Sequence, residues 1–348
     1  MSRLNQETAA AGPAGSEGLG RLMSLSTGYW ASAALIASVE LGLWEALAAG
    51  HSSVEDLAAA CRCDEAHLAD LLDALVALGL VERSGADFRP AADVAPLLDP
   101  RSPRSLLGAL RLNADLYPVW ARLAETIRCG RPVFAGSHLG LDPARTRRFV
   151  LAMESRARAM GDLMLAAVDV AAARRLLDVG AGSGALSRTL AERHPTLRVT
   201  QFDLPPVLAI ARELAAASPA AGRIEFVEGD YRNATEFGGP YDAILYCGAL
   251  HQESPSSAED LCRRLRVCTA TGGRLYVVDL MRQPGGGGPA MACLFSLNMR
   301  LTSPMGRVYA ADEVEALVAR AGWRVRTSVA APSSPYRAIV AELGDGGG

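Results

Sequence analysis

The stretch RRLLDVGAGSGALSRTL, residues 174–190, decides the fold of this chain. A short apolar run breaks into alternating glycines and resumes with helical spacing, which predicts a strand, a tight turn and a helix in that order. Such a unit commonly holds a nucleotide-like cofactor at the turn. The glycines alone are compatible with more than one cofactor, so the surrounding chain has to decide.

After residue 174, apolar runs alternate with stretches of helical length. Seven runs are strand candidates, at residues 175–179, 198–203, 224–227, 242–247, 273–279, 324–329 and 337–342. This pattern predicts a Rossmann-like, doubly wound α/β domain with a mostly parallel seven-stranded sheet. Only a short loop, from Ala330 to Tyr336, separates the last two strands, so we expect an antiparallel hairpin at one edge.

Two cofactors fit the glycine turn. Residues 180–185, GAGSGA, satisfy the dinucleotide fingerprint, whereas residues 178–184, DVGAGSG, are typical of S-adenosylmethionine loops. A dinucleotide carries a pyrophosphate, which disfavours a nearby carboxylate; S-adenosylmethionine carries a sulfonium and an ammonium group and no phosphate. Asp178 beside the turn therefore favours S-adenosylmethionine.

Acidic residues follow three successive strands, at the sheet edge where such folds bind their cofactors. Asp203 lies 23 residues after Gly180 and is expected to accept both ribose hydroxyls. Asp230 is expected to bind the adenine amino group, with Tyr231 against the ring. Any one aspartate also suits a turn or a helix cap, but all three together support the cationic cofactor.

Residues 27–104 are predicted to form a winged helix of three helices and a hairpin that turns at Ser84-Gly85. The first helix has apolar residues at every fourth position from Leu35 to Leu47, and Ser52 begins a capping-box pattern for the second. The third would be the DNA-reading helix, but its polar face is mostly acidic and would repel phosphates. A structural or dimer-forming role is favoured over DNA binding.

Composition excludes several classes. The chain has 348 residues, 21% of them charged, and its net charge of −3 argues against a general affinity for nucleic acid or anionic membranes. We expect residues 1–26 to be a disordered tail, and no apolar stretch to approach the roughly 20 residues that span a bilayer. Seven cysteines without a regular framework suit the cytoplasm. Cys61 and Cys63 lack a second ligand pair, so no metal is expected.

At this point the chain resembles the small-molecule O-methyltransferases of plants and actinomycetes, of the caffeate and hydroxyindole type. The resemblance runs from Tyr29 to Glu342 and rests on motifs in the family's order: LLDVGAGSG, FDLPPV, FVEGDY, ALHQ, GGRLYVVD and GRVYAADEVEALVARAGW. It implies a winged-helix dimerisation domain, connecting helices over residues 105–165, and a methyltransferase domain over residues 166–348. It also implies a homodimer that methylates a secondary metabolite, as in antibiotic biosynthesis.

The resemblance assigns site residues by position. The cofactor positions carried over are Gly180, Asp203, Asp230 and Tyr231, with Cys247 in place of a basic residue. The neighbouring residues at the same strand ends complete the predicted cofactor site: Asp178, Gly182, Leu204 and Gly229. The positions that would surround the methyl acceptor, the small molecule that receives the methyl group, are Asn113, Met153, Gly248, Asn298, Met299 and Ser303. Gly248 replaces a bulky aromatic residue of plant members, which favours a wider acceptor. The methionines are equally compatible with ordinary core packing.

His251 is at the position of the family's general base. Such a base is needed because a phenol must lose its proton as it attacks the methyl carbon, and a neutral imidazole can accept that proton near pH 7. The family supports its histidine with two acidic residues. Asp279 is a shorter acid at the first of these positions, and Val308 replaces the second acid. Gln252 replaces the aspartate that usually follows the histidine. These changes leave three hypotheses open. O-methylation of an aromatic or polyketide-like hydroxyl is the first, C- or N-methylation the second, and cofactor binding without transfer the third, against which the retained His251 counts.

Overall fold

The computed structural model describes residues 16–134, 142–330 and 335–343. The chain divides into two compact units, Met1–Pro100 and Arg101–Gly348. The division falls close to the predicted boundary at residue 104, and the helices expected to connect the domains belong to the second unit. Residues 1–15 of the predicted disordered tail lie outside the described residues.

The described part of the first unit contains five helices and a hairpin, where the sequence predicted three helices and a hairpin. In chain order its elements are α1 (Ser16–Glu40), α2 (Leu43–Ala49), α3 (Val54–Cys61), α4 (Glu65–Ala77), β1 (Val81–Ser84), β2 (Asp87–Pro90) and α5 (Ala95–Leu98). Strands β1 and β2 pair antiparallel, with Ser84 opposite Asp87. Leucines one turn apart on α4 are buried, which gives the unit its own small core: Leu68, Leu72 and Leu75.

Three sequence predictions for this unit are wrong. Residues 16–26 are helical rather than disordered, because α1 begins at Ser16. The apolar face predicted for a single helix is divided between α1 and α2, since Gly42 adopts a left-handed φ of 73°. The second helix is capped by Ser53, whose side chain accepts a hydrogen bond from the amide of Asp56, and not by Ser52.

Helix α1 also corrects the prediction about membranes. Over Glu17–Glu40 it is long and apolar enough to cross a bilayer by length and composition. Large apolar side chains along it are more than half exposed within the chain: Leu19, Leu22, Met23, Leu25, Tyr29 and Trp30. Helices that soluble proteins bury in a core or in an interface share these properties, so the helix shows an apolar surface that needs a partner.

The second unit places helices around one large sheet. Its helices are α6 (Leu107–Trp120), α7 (Leu123–Cys129), α8 (Pro143–Met164), α9 (Ala185–Arg193), α10 (Pro205–Ala215), α11 (Pro255–Leu265), α12 (Ala290–Thr302) and α13 (Ala311–Arg320). Its strands are β3 (Arg175–Val179), β4 (Arg198–Asp203), β5 (Ile224–Glu228), β6 (Tyr241–Cys247), β7 (Thr269–Leu280), β8 (Trp323–Ala330) and β9 (Tyr336–Leu343).

The seven strands lie in the order β5-β4-β3-β6-β7-β9-β8. Strands β3 to β7 are parallel, and β9 is antiparallel to both β7 and β8, so the predicted sheet and its antiparallel edge are confirmed. The strand order reverses between β3 and β6. In doubly wound sheets the ligand crevice lies at the carboxyl ends of the strands beside this reversal.

Strand β3 is buried on both faces, and apolar side chains fill three of its five positions. Leu177 and Val179 belong to one buried cluster of the sheet, and Leu176 belongs to the cluster on the other side. A strand buried on both faces reads as a continuous apolar run rather than an alternating one. This burial holds the glycine turn after β3 on a rigid support.

Candidate active site

The glycine turn between β3 and α9 has a backbone that its glycines permit. Gly184 adopts a φ of 69°, and a methyl group there would lie 2.2 Å from Nε2 of Gln201. Gly182 also has a positive φ, but a methyl group there would meet no atom within 4 Å. The turn is therefore closely packed at Gly184 and open at Gly182, where a ligand can approach the backbone.

Asp203, at the end of β4, is bound to that turn. Its Oδ2 accepts a hydrogen bond from the amide of Gly182 and its Oδ1 one from the amide of Leu204, each at 2.7 Å. Its own carbonyl accepts the amide of Gly229, which follows β5. Each carboxylate oxygen keeps a further acceptor site, so Asp203 can both hold the turn and accept ligand hydroxyls.

The two aspartates nearest the turn are buried, and among the described residues no arginine, lysine or histidine forms a salt bridge with either of them. Burial raises the pKa of Asp178 to about 7, and the charge of Asp203 adds to the increase. Burial likewise raises the pKa of Asp203 to about 6. A group carrying positive charge would stabilise both ionised carboxylates, as a sulfonium and an ammonium do, whereas a pyrophosphate would oppose them. The donor set therefore fits S-adenosylmethionine.

The loop after β5 contributes the expected aspartate and tyrosine. Asp230 is half-buried and closes a turn, accepting the amide of Arg232 at 2.9 Å and the side chain of Asn233 at 3.2 Å. The ring of Tyr231 packs on the glycine turn, since a methyl group at Gly180 would lie 3.3 Å from its Cε1. Tyr231 therefore forms a wall of the crevice.

Cys247 ends β6, directly across the strand-order reversal from β3. Burial raises the pKa of its thiol well above the usual value, and the charges of Asp279 and Asp178 act in the same direction. The thiol is therefore neutral. Cys247 therefore brings no positive charge to the buried carboxyls of Asp178 and Asp279.

His251 lies on a short 3₁₀ turn, Leu250–Gln252, that follows β6. Its Nδ1 is 2.8 Å from Oδ1 of Asp279 and 3.1 Å from Oδ2. Asp279 is 2% exposed and also accepts the amide of Leu280, whereas the His251 side chain is 12% exposed. In the described part of the chain no hydrogen bond engages Nε2 of His251, so this nitrogen is available to a bound substrate.

Sequence reasoning missed two residues beside this pair. Phe295 of α12 meets the imidazole edge-on, with ring centroids 4.9 Å apart. Glu253 is completely buried two residues after His251. The helical spacing of Phe295 from the predicted Asn298 and Met299 was an available signal, but nothing in the sequence distinguishes Glu253 from a solvated loop residue.

The predicted acceptor positions are only partly brought together. Asn298 and Met299 lie on the helix that carries Phe295, but Met299 is buried as core. The Oδ1 of Asn298 accepts the indole N–H of Trp120 at 3.1 Å, and the hydroxyl of Ser303 accepts the amide of Gly306.

The remaining positions differ in their surroundings. A methyl group at Gly248, the residue directly after β6, would meet no atom within 4 Å. Asn113 is exposed on α6, which packs against α8 and α12, and Met153 is half-buried on α8. Position 308 holds a valine, which is fully buried, so this position supplies no carboxylate to support His251.

Comparison with known proteins decides the family. Residues 120–324 match the O-methyltransferase domain and residues 23–95 match the O-methyltransferase dimerisation domain. The chain belongs to the O-methyltransferase family. It is an S-adenosylmethionine-dependent O-methyltransferase, and its first unit is the dimerisation domain of that family.

Relatives of this O-methyltransferase are found in mammals and in Streptomyces. It is 34% identical to acetylserotonin O-methyltransferase of Mus musculus molossinus, covering 94% of this chain and 89% of that one. It is 34% identical to the tetracenomycin polyketide synthesis 8-O-methyl transferase TcmO of Streptomyces glaucescens, covering 89% and 93%. The crystal structure of human N-acetylserotonin methyltransferase in complex with SAM superposes with a TM-score of 0.84, at 25% identity over 96% and 99%.

Proposed function

We propose that this O-methyltransferase methylates a hydroxyl of a small aromatic or polyketide-like secondary metabolite, with His251 as the general base. The observation that carries the proposal is the His251–Asp279 pair, 2.8 Å apart at the carboxyl ends of β6 and β7. These strand ends face the same crevice as the glycine turn after β3. A histidine with one nitrogen held and the other available suits proton abstraction.

Asp279 sets the chemistry of the imidazole. Its carboxylate accepts the proton on Nδ1, which leaves the lone pair on Nε2 to receive the proton of an acceptor hydroxyl. The same carboxylate then stabilises the imidazolium that forms. Bound S-adenosylmethionine supplies the methyl group on its sulfonium. Phe295 restricts the ring from one side, so that Nε2 keeps its direction.

We propose that the cofactor contacts follow the strand ends. Asp203 accepts the ribose hydroxyls, Asp230 the adenine amino group, and Tyr231 lies against the adenine ring. Around them we assign Asp178, Gly180, Gly182, Leu204, Gly229 and Cys247 to the cofactor site. Support comes from the open backbone at Gly182 and from two buried carboxyls whose pKa values burial raises.

The acceptor pocket is assigned to Asn113, Met153, Gly248, Asn298, Met299 and Ser303. Space beside Gly248 supports a broad acceptor. The two relatives are named for O-methylation of acetylserotonin and for 8-O-methylation in tetracenomycin polyketide synthesis, which supports a hydroxyl of an aromatic or polyketide-like acceptor here. Trp120 can only donate, so it fixes the amide oxygen of Asn298 and leaves the amide nitrogen as a donor.

Transfer to nitrogen or carbon is the second candidate, and Val308 favours it. Its fully buried apolar side chain gives His251 one supporting acid rather than two. A weaker base suffices for an acceptor that is nucleophilic without deprotonation.

We further propose a soluble, cytoplasmic homodimer. The exposed apolar side chains of α1 support it, because a second copy would cover them. The seven free cysteines are compatible with a reducing compartment.

The test is incubation of the purified protein with methyl-labelled cofactor and a panel of phenols, naphthols, anthraquinones and matching amines, read by mass spectrometry. We expect the label on a hydroxyl oxygen of a polycyclic acceptor. Label on nitrogen or carbon would select the second candidate. Cofactor binding without transfer to any panel member would contradict both.

A further inference from the structure

Glu253 is a charged residue with no exposed surface. Burying a carboxylate is costly unless donors surround it. Three donors do so here. Oε1 accepts the hydroxyl of Tyr231 at 2.9 Å and Nε of Arg232 at 2.8 Å, and Oε2 accepts the hydroxyl of Ser257 at 2.6 Å.

One side of this network is the proposed cofactor site. The Tyr231 ring packs on Gly180 of the glycine turn, and its edge meets Tyr246 of β6 with ring centroids 6.0 Å apart. Burial raises the pKa of the Tyr231 hydroxyl, so it remains a neutral donor to Glu253. The carboxylate of Glu253 therefore fixes how the ring stands against the turn.

The other side is the turn that carries the proposed base. Glu253 directly follows residues 250–252, and its amide donates to the carbonyl of Leu250 at 3.0 Å. Its own carbonyl accepts the hydroxyl of Tyr309 at 2.7 Å, and Ser257 anchors its carboxylate to the first turn of α11. Displacing Glu253 would thus shift the backbone of His251.

We propose that Glu253 is a positioning residue for methyl transfer, joining the Tyr231 wall of the cofactor site to the turn that carries His251. The inference rests on the proposed roles of His251 and of the glycine turn. Glutamine at this position has the same shape, but its NH₂ group would face donors where the carboxylate now accepts, so at least one contact is lost.

The experiment is a double-mutant cycle of Glu253→Gln and Tyr231→Phe, each compared with the parent for cofactor Kd, kcat and acceptor KM. Matched controls are Glu259→Gln, which removes an ion-paired carboxylate on α11, and Tyr241→Phe, which removes a buried hydroxyl bonded to the carbonyl of Phe237. Thermal unfolding verifies that every variant is folded.

We expect each single variant to raise the cofactor Kd and lower kcat by roughly tenfold, as the loss of a buried hydrogen bond to a charged group implies. The KM for the methyl acceptor should stay within about twofold of the parent value, since neither group faces the acceptor. The double variant should have the cofactor Kd and kcat of the more impaired single variant, because both substitutions remove the same interaction. The controls should keep the parent's Kd and kcat. Losses that multiply in the double variant, or folded single variants that match the parent, would overturn the proposal.

Two outcomes need separate readouts. If Glu253→Gln does not fold, the comparison of Tyr231→Phe with its control Tyr241→Phe decides the question. A raised cofactor Kd with a lowered kcat in Tyr231→Phe supports the proposal, and values equal to those of the control refute it. If no acceptor is methylated, the proposed function fails while the cofactor Kd cycle still decides the role of Glu253.

Discussion

Nδ1 of His251 lies 2.8 Å from Oδ1 of Asp279, although 28 residues separate the two in the chain. The adjacent parallel strands β6 and β7 end side by side and bring them together. Removing the imidazole as His251→Ala should lower kcat by roughly 10²–10⁴-fold, because the hydroxyl proton loses its acceptor. Turnover at saturating cofactor, measured from pH 5.5 to 9, checks this. Cofactor Kd should barely change.

Asp279→Asn should cause a smaller loss than His251→Ala, because the acid only orients the ring and stabilises its cation. His194→Ala, a histidine at the end of α9, is the matched control and should retain full activity. A His251→Ala enzyme within tenfold of the parent would remove His251 as the base and would favour an acceptor that needs no deprotonation.

Asp203→Ala should weaken S-adenosylmethionine binding while the protein stays folded. Two charge-assisted hydrogen bonds to the ribose would be lost, each worth about 1.5–3 kcal/mol. Asp203→Asn is the milder comparison, since it keeps one oxygen for the amides of Gly182 or Leu204. Calorimetric titration measures the effect, and an unchanged Kd in a folded Asp203→Ala protein would place the ribose elsewhere.

The raised pKa values of Asp178 and Asp203, about 7 and about 6 against an ordinary 3.8, predict a pH dependence. The folded, cofactor-free protein binds more protons than the unfolded chain between roughly pH 4 and pH 7. The contribution of these carboxyls to the free energy of unfolding is therefore full below about pH 4 and is lost as the pH rises through 6 and 7.

A cationic cofactor favours the ionised carboxylates, so its binding should tighten over the same pH range and release protons. Calorimetry at pH 6.5 in two buffers of different ionisation enthalpy counts these protons. Asp178→Asn should reduce the count. Binding that is independent of pH in the parent protein would contradict the burial of these charges near the ligand.

Two glycines of the cofactor turn should respond differently to alanine. Gly184→Ala should lower the free energy of unfolding by about 1–3 kcal/mol, because a positive φ and a clash with Gln201 act together. Gly182→Ala shares the positive φ but has open space, so it should cost less stability and chiefly impair cofactor binding. Denaturant titrations and calorimetry on both variants separate the effects, and equal losses of stability would disprove the packing difference.

The exposed apolar face of α1 predicts a dimer at micromolar concentration. Trp30→Asp should shift light scattering toward the monomer, since Trp30 is 61% exposed within one chain. Val267→Asp replaces an 89% exposed apolar residue of the second unit and should leave the dimer intact. A stable, active monomer of the parent protein would exclude this interface.

Local sequence determined the sheet and the cofactor turn. Each of the seven strands was predicted within a few residues, because each is rich in apolar and β-branched residues and most are separated by stretches of helical length. The turn after β3 was recognisable because only glycine tolerates the backbone at Gly184. Asp178 and Asp203 were recognisable because acidic side chains are rare beside buried strands.

Tertiary structure decided what local pattern does not encode. Glu253 resembles a solvated loop residue in sequence, and only the approach of Tyr231, Arg232 and Ser257 makes it a buried anchor. Asn298 similarly depends on Trp120, 178 positions away. A side chain's hydrogen-bond partners are set by distances in space, whereas helical and strand periodicity reports only which face of an element is buried.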